Sequence, residues 1–371
     1  MKGGRRKNLR KRGSFVYRIQ KPAGGTLLLR CSVREDLNCF FIVGAPRAGT
    51  TAMSHYLKKH SAICFSDPKE THFFLTADDN TGPEELKRRY LKAFFPTIPD
   101  ETRLLGEGSV STLYSADTIR RAMACFPQAK FIVMLRNPLD LLRSYHARLL
   151  YLRQETEQDF ETAWELQEAR AAGRKIPRGC SDPRILQYRD VGSLGRYTAQ
   201  LFEMAGRQNC HAIFFEDFVS DILGVYKETL NFLDLSYRGR TRFRTKNAQR
   251  RYRSVFWQSL YSGPLLRPVG SLAARHPARL AQIQRMTRQF RKKIKRMNSS
   301  VITLPDFDPG LAARLLETFG EDIEQLSHLL DRDLTHWRAA RDPSAGKPTE
   351  AASQRPAASG QISTRVTNVR I

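Results

Sequence analysis

Phe40-Phe41-Ile42-Val43-Gly44-Ala45-Pro46-Arg47-Ala48-Gly49-Thr50-Thr51 is the stretch whose reading decides the fold. A short apolar run that ends at a glycine predicts a strand buried on both faces of a parallel sheet. Met53, Tyr56 and Leu57 then follow at helical spacing. Between the two, glycines at 44 and 49 let the backbone wrap an anion without Cβ clashes. The helix start adds free N–H groups and the positive end of its dipole, and Thr50 and Thr51 add hydroxyl donors. The spacing is the G-x4-G of a P-loop, but Thr50 stands where a P-loop carries lysine. A loop built for phosphoryl transfer places that lysine on the β- and γ-phosphates and a Ser/Thr on magnesium. Here the only cation is Arg47, three positions upstream of Thr50. A plain strand-to-helix turn would require neither the arginine nor the threonine pair.

Working outward, Lys130–Leu135 (KFIVML) predicts a second buried strand, and Asn137-Pro138 a cap with proline at the first position of a helix running to about Leu152. Arg136 therefore lies at the carboxyl end of a strand, where open α/β sheets bind ligands, and Ser144 follows on the helix behind it. An arginine fork suits a phosphate. A magnesium-organising strand would end in aspartate instead.

Leu104-Leu105 opens a short strand and His211–Phe215 a further one. Helices are predicted over Glu84–Phe94 behind Pro83, Ala116–Cys125, Phe160–Ala172, Leu194–Ala205 and Ile222–Leu233. Strand–helix alternation of this kind implies an α/β class: a P-loop-like three-layer fold with a central, mainly parallel sheet flanked by helices.

Three segments organise the chain. Residues 1–35 read as a basic arm, 36–338 as the folded domain with a mostly helical, basic part over 238–338, and 339–371 as a disordered tail rich in Ala, Ser, Pro, Thr and Arg. With 41% hydrophobic residues, wholesale disorder is excluded. The formal charge is +25, but three stretches (Met1–Gly13, Arg238–Arg253 and Arg285–Arg296) hold 22 of the 62 cations and no acid. The excess is thus a property of a few surfaces that would attract anions.

The six cysteines lie far apart with no CxxC pair, which argues for reduced core thiols and against a zinc site. The basic N-terminus lacks an apolar core region, and no window approaches the ~18 apolar residues of a spanning helix. A cytoplasmic protein is expected. Leu280, Ile283, Thr287, Phe290, Ile294 and Met297 form one stripe of a helix with a basic opposite face, which would pack on the domain or rest peripherally on an anionic membrane.

The G-x-P-R-x-G-T-T loop after an apolar strand resembles the 5′-phosphosulfate loop of sulfotransferases that use 3′-phosphoadenosine-5′-phosphosulfate. Arg136…Ser144 within LRNPLDLLRSYH resembles that family's 3′-phosphate site. The likeness runs from about Phe40 to Trp337. It includes Gly195-Arg196-Tyr197…Gln200-Leu201, Glu216-Asp217 and Asp331-Arg332-Asp333-Leu334…Trp337, and it is nearest the bacterial and glycan-modifying branches.

The resemblance implies that Arg47, Ala48, Gly49, Thr50 and Thr51 cradle the phosphosulfate, with Arg47 neutralising the leaving oxygen. Many relatives carry lysine at that position. Arginine does not give up its proton, so its part would be electrostatic. Lys69-Glu70-Thr71-His72-Phe73-Phe74 resembles the K-E-x-x-F-F segment whose glutamate is the proposed base. Glu70 would take the acceptor's proton, with His72 the rival base and Lys69 a contact to sulfonate or acceptor. Asn247, Arg251 and Arg253 fall where relatives close a loop over the 3′-phosphate. Glu107-Gly108-Ser109…Tyr114 resembles a segment that often reads E-K-x-P-x-Y, so an acceptor-side contact from residue 108 is lost.

The activity implied is sulfuryl transfer to a hydroxyl or amine of a carbohydrate, glycolipid or small molecule, with neither metal nor nucleic acid involved. Two rivals stand beside it. A metal-dependent nucleotide kinase or NTPase would need Glu107 in place of the missing Walker-B aspartate. A non-catalytic basic nucleic-acid or membrane binder leaves Gly44–Thr51 unexplained, and no base-stacking aromatic pattern accompanies it.

Overall fold

The computed structural model describes residues 34–239, 243, 250–252, 299–301 and 304–338. The basic arm up to residue 33, the tail from 339 and the stripe Leu280–Met297 lie outside the described residues. Five strands form one parallel sheet in the order β2-β3-β1-β4-β5: β1 (Asn38–Val43), β2 (Ile63–Phe65), β3 (Leu104–Glu107), β4 (Lys130–Leu135) and β5 (Cys210–Phe214). The two runs singled out as buried strands are its centre. Phe40–Val43 and Phe131–Leu135 are fully inaccessible, because helices cover both faces of the sheet.

Helices alternate with the strands: α1 (Thr50–Leu57), α2 (Pro83–Phe94), α3 (Ala116–Cys125), α4 (Pro138–Leu152), α5 (Phe160–Glu165), α6 (Gln167–Ala171), α7 (Tyr188–Gly192), α8 (Leu194–Ala205), α9 (Phe215–Ser220) and α10 (Ile222–Phe232). A two-stranded antiparallel ladder, β6 (Arg250–Tyr252) with β7 (Ser299–Val301), lies beside α4. The chain then forms α11 (Pro309–Leu330), packed on α8, and the single turn α12 (Thr335–Arg338).

Two expectations are corrected, and one strand goes beyond them. The predicted helix 160–172 breaks at Leu166 into α5 and α6. The predicted strand His211–Phe215 ends at Phe214, since Glu216 and Asp217 suit the first turn of a helix and Phe215 opens it. Strand β2 carried no signal in the sequence. Its three residues run directly into Ser66-Asp67-Pro68 and become a strand only by pairing with β3.

Among the described cysteines all are free. Cys39, Cys125 and Cys210 are buried, while Cys64 and Cys180 are partly accessible. Burial pushes the Cys125 thiol up to about 11 and that of Cys210 to about 12.

Behind α4 the chain is held by a buried ion pair. Arg170 grips Glu155 through both Nη atoms at 2.8 Å, and Tyr188 donates its hydroxyl to the same carboxylate at 2.7 Å. Burial favours protonation of Glu155, but the amides of Glu157 and Thr156, the Tyr188 hydroxyl and Arg170 outweigh it and hold the carboxyl below its usual range. Tyr188→Phe removes one donor from a charge that stays buried. It should cost about 1–3 kcal/mol in urea unfolding, and an unchanged midpoint would show that this node adds nothing to stability.

Candidate active site

The β1–β4 register pairs Val43 with Val133. The loop after β1 and Arg136 after β4 therefore emerge side by side at the carboxyl edge of the sheet, where the order places ligands. Gly49 sits at φ +90°, open to glycine but strained for other residues. A β-carbon there would lie 3.1 Å from the Phe218 ring. Helix α1 starts just after it with no side-chain cap, so the first-turn amides are presented to a ligand.

Arg47 is left-handed at φ +66°, an uncommon conformation for a side-chain-bearing residue and one that tends to occur at ligand sites. This turn ties the loop after β1 to Arg136 and Ser144. The Arg47 carbonyl accepts from Arg136 Nη1 at 2.9 Å, and its own Nε donates to Ser144 Oγ at 2.8 Å. Burial, then the charges of Arg148 and Arg136, pull the Arg47 guanidinium down to about 10, leaving it charged at neutral pH. Like charges gathered on a buried hydroxyl form a place for a multiply charged anion. Arg136 is braced from below, its guanidinium carbon 4.5 Å from the centroid of Phe215.

The third sequence-predicted group reaches the same edge. Lys69 Nζ donates to Glu70 Oε1 at 2.7 Å and lies 3.5 Å from Thr50 Oγ1, so it connects the loop to the candidate base. His72 Nε2 is 3.8 Å from Glu70 Oε2, and its Nδ1 is 2.9 Å from Ser111 Oγ. The rival bases are thus neighbours. Glu70 keeps 39% of its side chain exposed, enough to meet an acceptor.

Glu107 holds this segment in place. Its carboxylate accepts from Thr71 N at 3.1 Å and from Ser109 Oγ and N at 2.5 and 3.0 Å, and Ser109 Oγ accepts in turn from His72 N. Burial raises the Glu107 carboxyl against these bonds. Both oxygens are engaged inward, which is not the open carboxylate that the kinase reading required. Among the described residues, no group of three or more His, Cys, Asp or Glu could hold a metal ion.

Asn247 and Arg253 lie outside the described residues. Arg251 lies in β6, paired in register with Ser300. The closing segment of the chain braces the corner between β5 and α9. Arg332 grips Asp217 at 2.5 and 2.8 Å, Trp337 Nε1 donates to Glu216 at 3.0 Å, and Asn137 Nδ2 donates to the Trp337 carbonyl at 3.2 Å. Sequence reasoning had marked Glu216, Asp217, Arg332 and Trp337 only as points of resemblance. Phe215, Phe218 and Arg148 went unnoticed: an aromatic or an arginine on a helix carries no local sign of what it will face.

The fold is a P-loop-like α/β one whose loop lacks the P-loop lysine. Residues 39–239 match the profile of the sulfotransferase family, and the chain belongs to that family. It is 27% identical over 156 residues to the membrane-associated sulfotransferase kil1 of Dictyostelium discoideum, covering 41% of this chain and 32% of that protein. It is 33% identical over 119 residues to the human bifunctional heparan sulfate N-deacetylase/N-sulfotransferase 2, covering 30% of this chain and 13% of that one. The chain thus spans a third or less of the length of these relatives. The crystal structure of a sulfotransferase from Alicyclobacillus acidocaldarius has the same fold, with a TM-score of 0.56 at 24% identity over 81% of this chain and 98% of that one. Among the described residues, no helix is long and apolar enough to cross a membrane.

Proposed function

We propose that the protein transfers the sulfuryl group of 3′-phosphoadenosine-5′-phosphosulfate to a hydroxyl or amine of a carbohydrate, glycolipid or small-molecule acceptor. The observation that carries this reading is Arg47. Its turn joins two anion sites, one at the start of α1 and one at Arg136 and Ser144, as a nucleotide charged at both its 5′ and 3′ ends requires. The α1 amides with Ala48, Gly49, Thr50 and Thr51 hold the phosphosulfate. Arg136 and Ser144 hold the 3′-phosphate, with Asn247, Arg251 and Arg253 as closing contacts.

Glu70 takes the acceptor's proton as the new bond to sulfur forms. The bond from sulfur to the phosphate oxygen breaks, and the bisphosphate leaves with the electron pair, its charge met by Arg47, while Lys69 holds the sulfonate. His72 orients Glu70 or shares its proton. No step needs a metal.

The transferring unit spans residues 36–338. A cytoplasmic location, peripheral to an anionic membrane, fits the basic stretches, and a relative is named as membrane-associated. The name of another relative points to heparan sulfate, which supports a carbohydrate acceptor.

The decisive experiment is an acceptor screen with radiolabelled phosphosulfate donor in the presence of chelator. Transfer to any hydroxyl or amine acceptor is the expected result. Failure of the protein to bind 3′,5′-adenosine bisphosphate unless magnesium is added would instead favour a phosphoryl-transfer enzyme.

A further inference from the structure

Lys69 follows an unusual path. Its carbonyl accepts from the Gly108 amide at 3.0 Å and from Ser66 Oγ at 3.2 Å, fixing the backbone on β3's exit. Its side chain then crosses directly over Gly108. A β-carbon at residue 108 would lie 2.6 Å from Lys69 Cε, 3.1 Å from Cγ and 3.4 Å from Nζ. Beyond that crossing the ammonium meets Glu70 Oε1 and Thr50 Oγ1. Thr50 opens α1, where the phosphosulfate is cradled. Arg47, the loop's own cation, donates its Nε to Ser144 Oγ.

We infer that Gly108 is a positioning residue, whose missing side chain routes the Lys69 ammonium past Thr50 onto the sulfonate of the donor. The inference rests on the sulfuryl-transfer reading and narrows it: Lys69 recognises the group being transferred, and residue 108 decides whether it can. The contact that the sequence alone had marked as lost at residue 108 is replaced in space by Lys69. A β-carbon at 108 meets the side chain of a flexible lysine rather than backbone. The fold therefore survives such a substitution while the ammonium moves.

The test uses the full chain without acceptor. Calorimetry measures the affinities of 3′-phosphoadenosine-5′-phosphosulfate and of 3′,5′-adenosine bisphosphate, which lacks the sulfonate. The proteins are wild type, Gly108→Ala, Lys69→Ala and the double variant. Each single variant should weaken the phosphosulfate by about tenfold, the order of one charge-assisted hydrogen bond, and leave the bisphosphate within about twofold. The double variant should bind like Lys69→Ala, because the glycine has nothing left to position. Unchanged phosphosulfate affinity in Gly108→Ala, equal losses for both nucleotides, or a full further loss on adding Gly108→Ala to Lys69→Ala would each overturn the inference and leave the sulfuryl-transfer reading intact. Wild-type protein that binds neither nucleotide would remove that reading, and this inference with it.

Discussion

Glu70→Gln is expected to lower sulfuryl transfer by roughly 100- to 10,000-fold, the usual contribution of a positioned general base. The amide keeps the shape of the side chain and can still accept a bond from Lys69, but it cannot take a proton. Affinity for 3′,5′-adenosine bisphosphate should therefore stay near wild type, because Glu70 bonds Lys69, which in turn reaches Thr50 of the loop. His72→Gln is the companion variant. His72 lies 3.8 Å from the carboxylate and bonds Ser111, so a role in orienting Glu70 predicts a smaller loss than in Glu70→Gln. Steady-state rates with calorimetric nucleotide affinity decide the assignment. If Glu70→Gln retains turnover while His72→Gln loses it, the base is His72.

Arg136→Ala is expected to weaken 3′,5′-adenosine bisphosphate far more than adenosine 5′-monophosphate. Each charge-assisted bond contributes about 1.5–3 kcal/mol, so loss of a two-pronged contact corresponds to roughly 100-fold or more. The monophosphate meets only the α1 loop and should lose little. Equal losses for both ligands would refute the 3′-phosphate assignment. A milder result is expected from Phe215→Leu. It removes the ring 4.5 Å beneath the Arg136 guanidinium while keeping bulk, at an expected cost of about 0.5–2 kcal/mol on bisphosphate affinity and none on that of the monophosphate.

The parts legible in the sequence were those fixed by short-range rules. Phe40–Val43 and Lys130–Leu135 read as buried strands because an unbroken apolar run of strand length has few other solutions. Asn137-Pro138 marked the start of α4 because an asparagine cap and a proline at the first position answer purely local backbone needs. Where the local signal was weak or divided, the reading slipped. The three-residue β2 exists through its partner β3, and Phe215 could have ended a strand as readily as begun a helix.

The site divides in the same way. The loop Gly44–Thr51 was determined by the sequence, since glycine spacing, Thr50 in the lysine position and the upstream Arg47 are properties of neighbouring residues. Tertiary structure alone decided that the Arg47 turn accepts from Arg136 and reaches Ser144, 97 residues away, and that Lys69 crosses the bare face of Gly108 to reach both Thr50 and Glu70. The physical reason is reach. A backbone preference acts over a few residues and leaves its mark in them, whereas the aim of a long cationic side chain is set by whatever the parallel sheet brings to the same edge. The sequence by itself determined the loop at the end of β1 that is proposed to hold an anion; the stacking of β3, β1 and β4 decided which charges surround it.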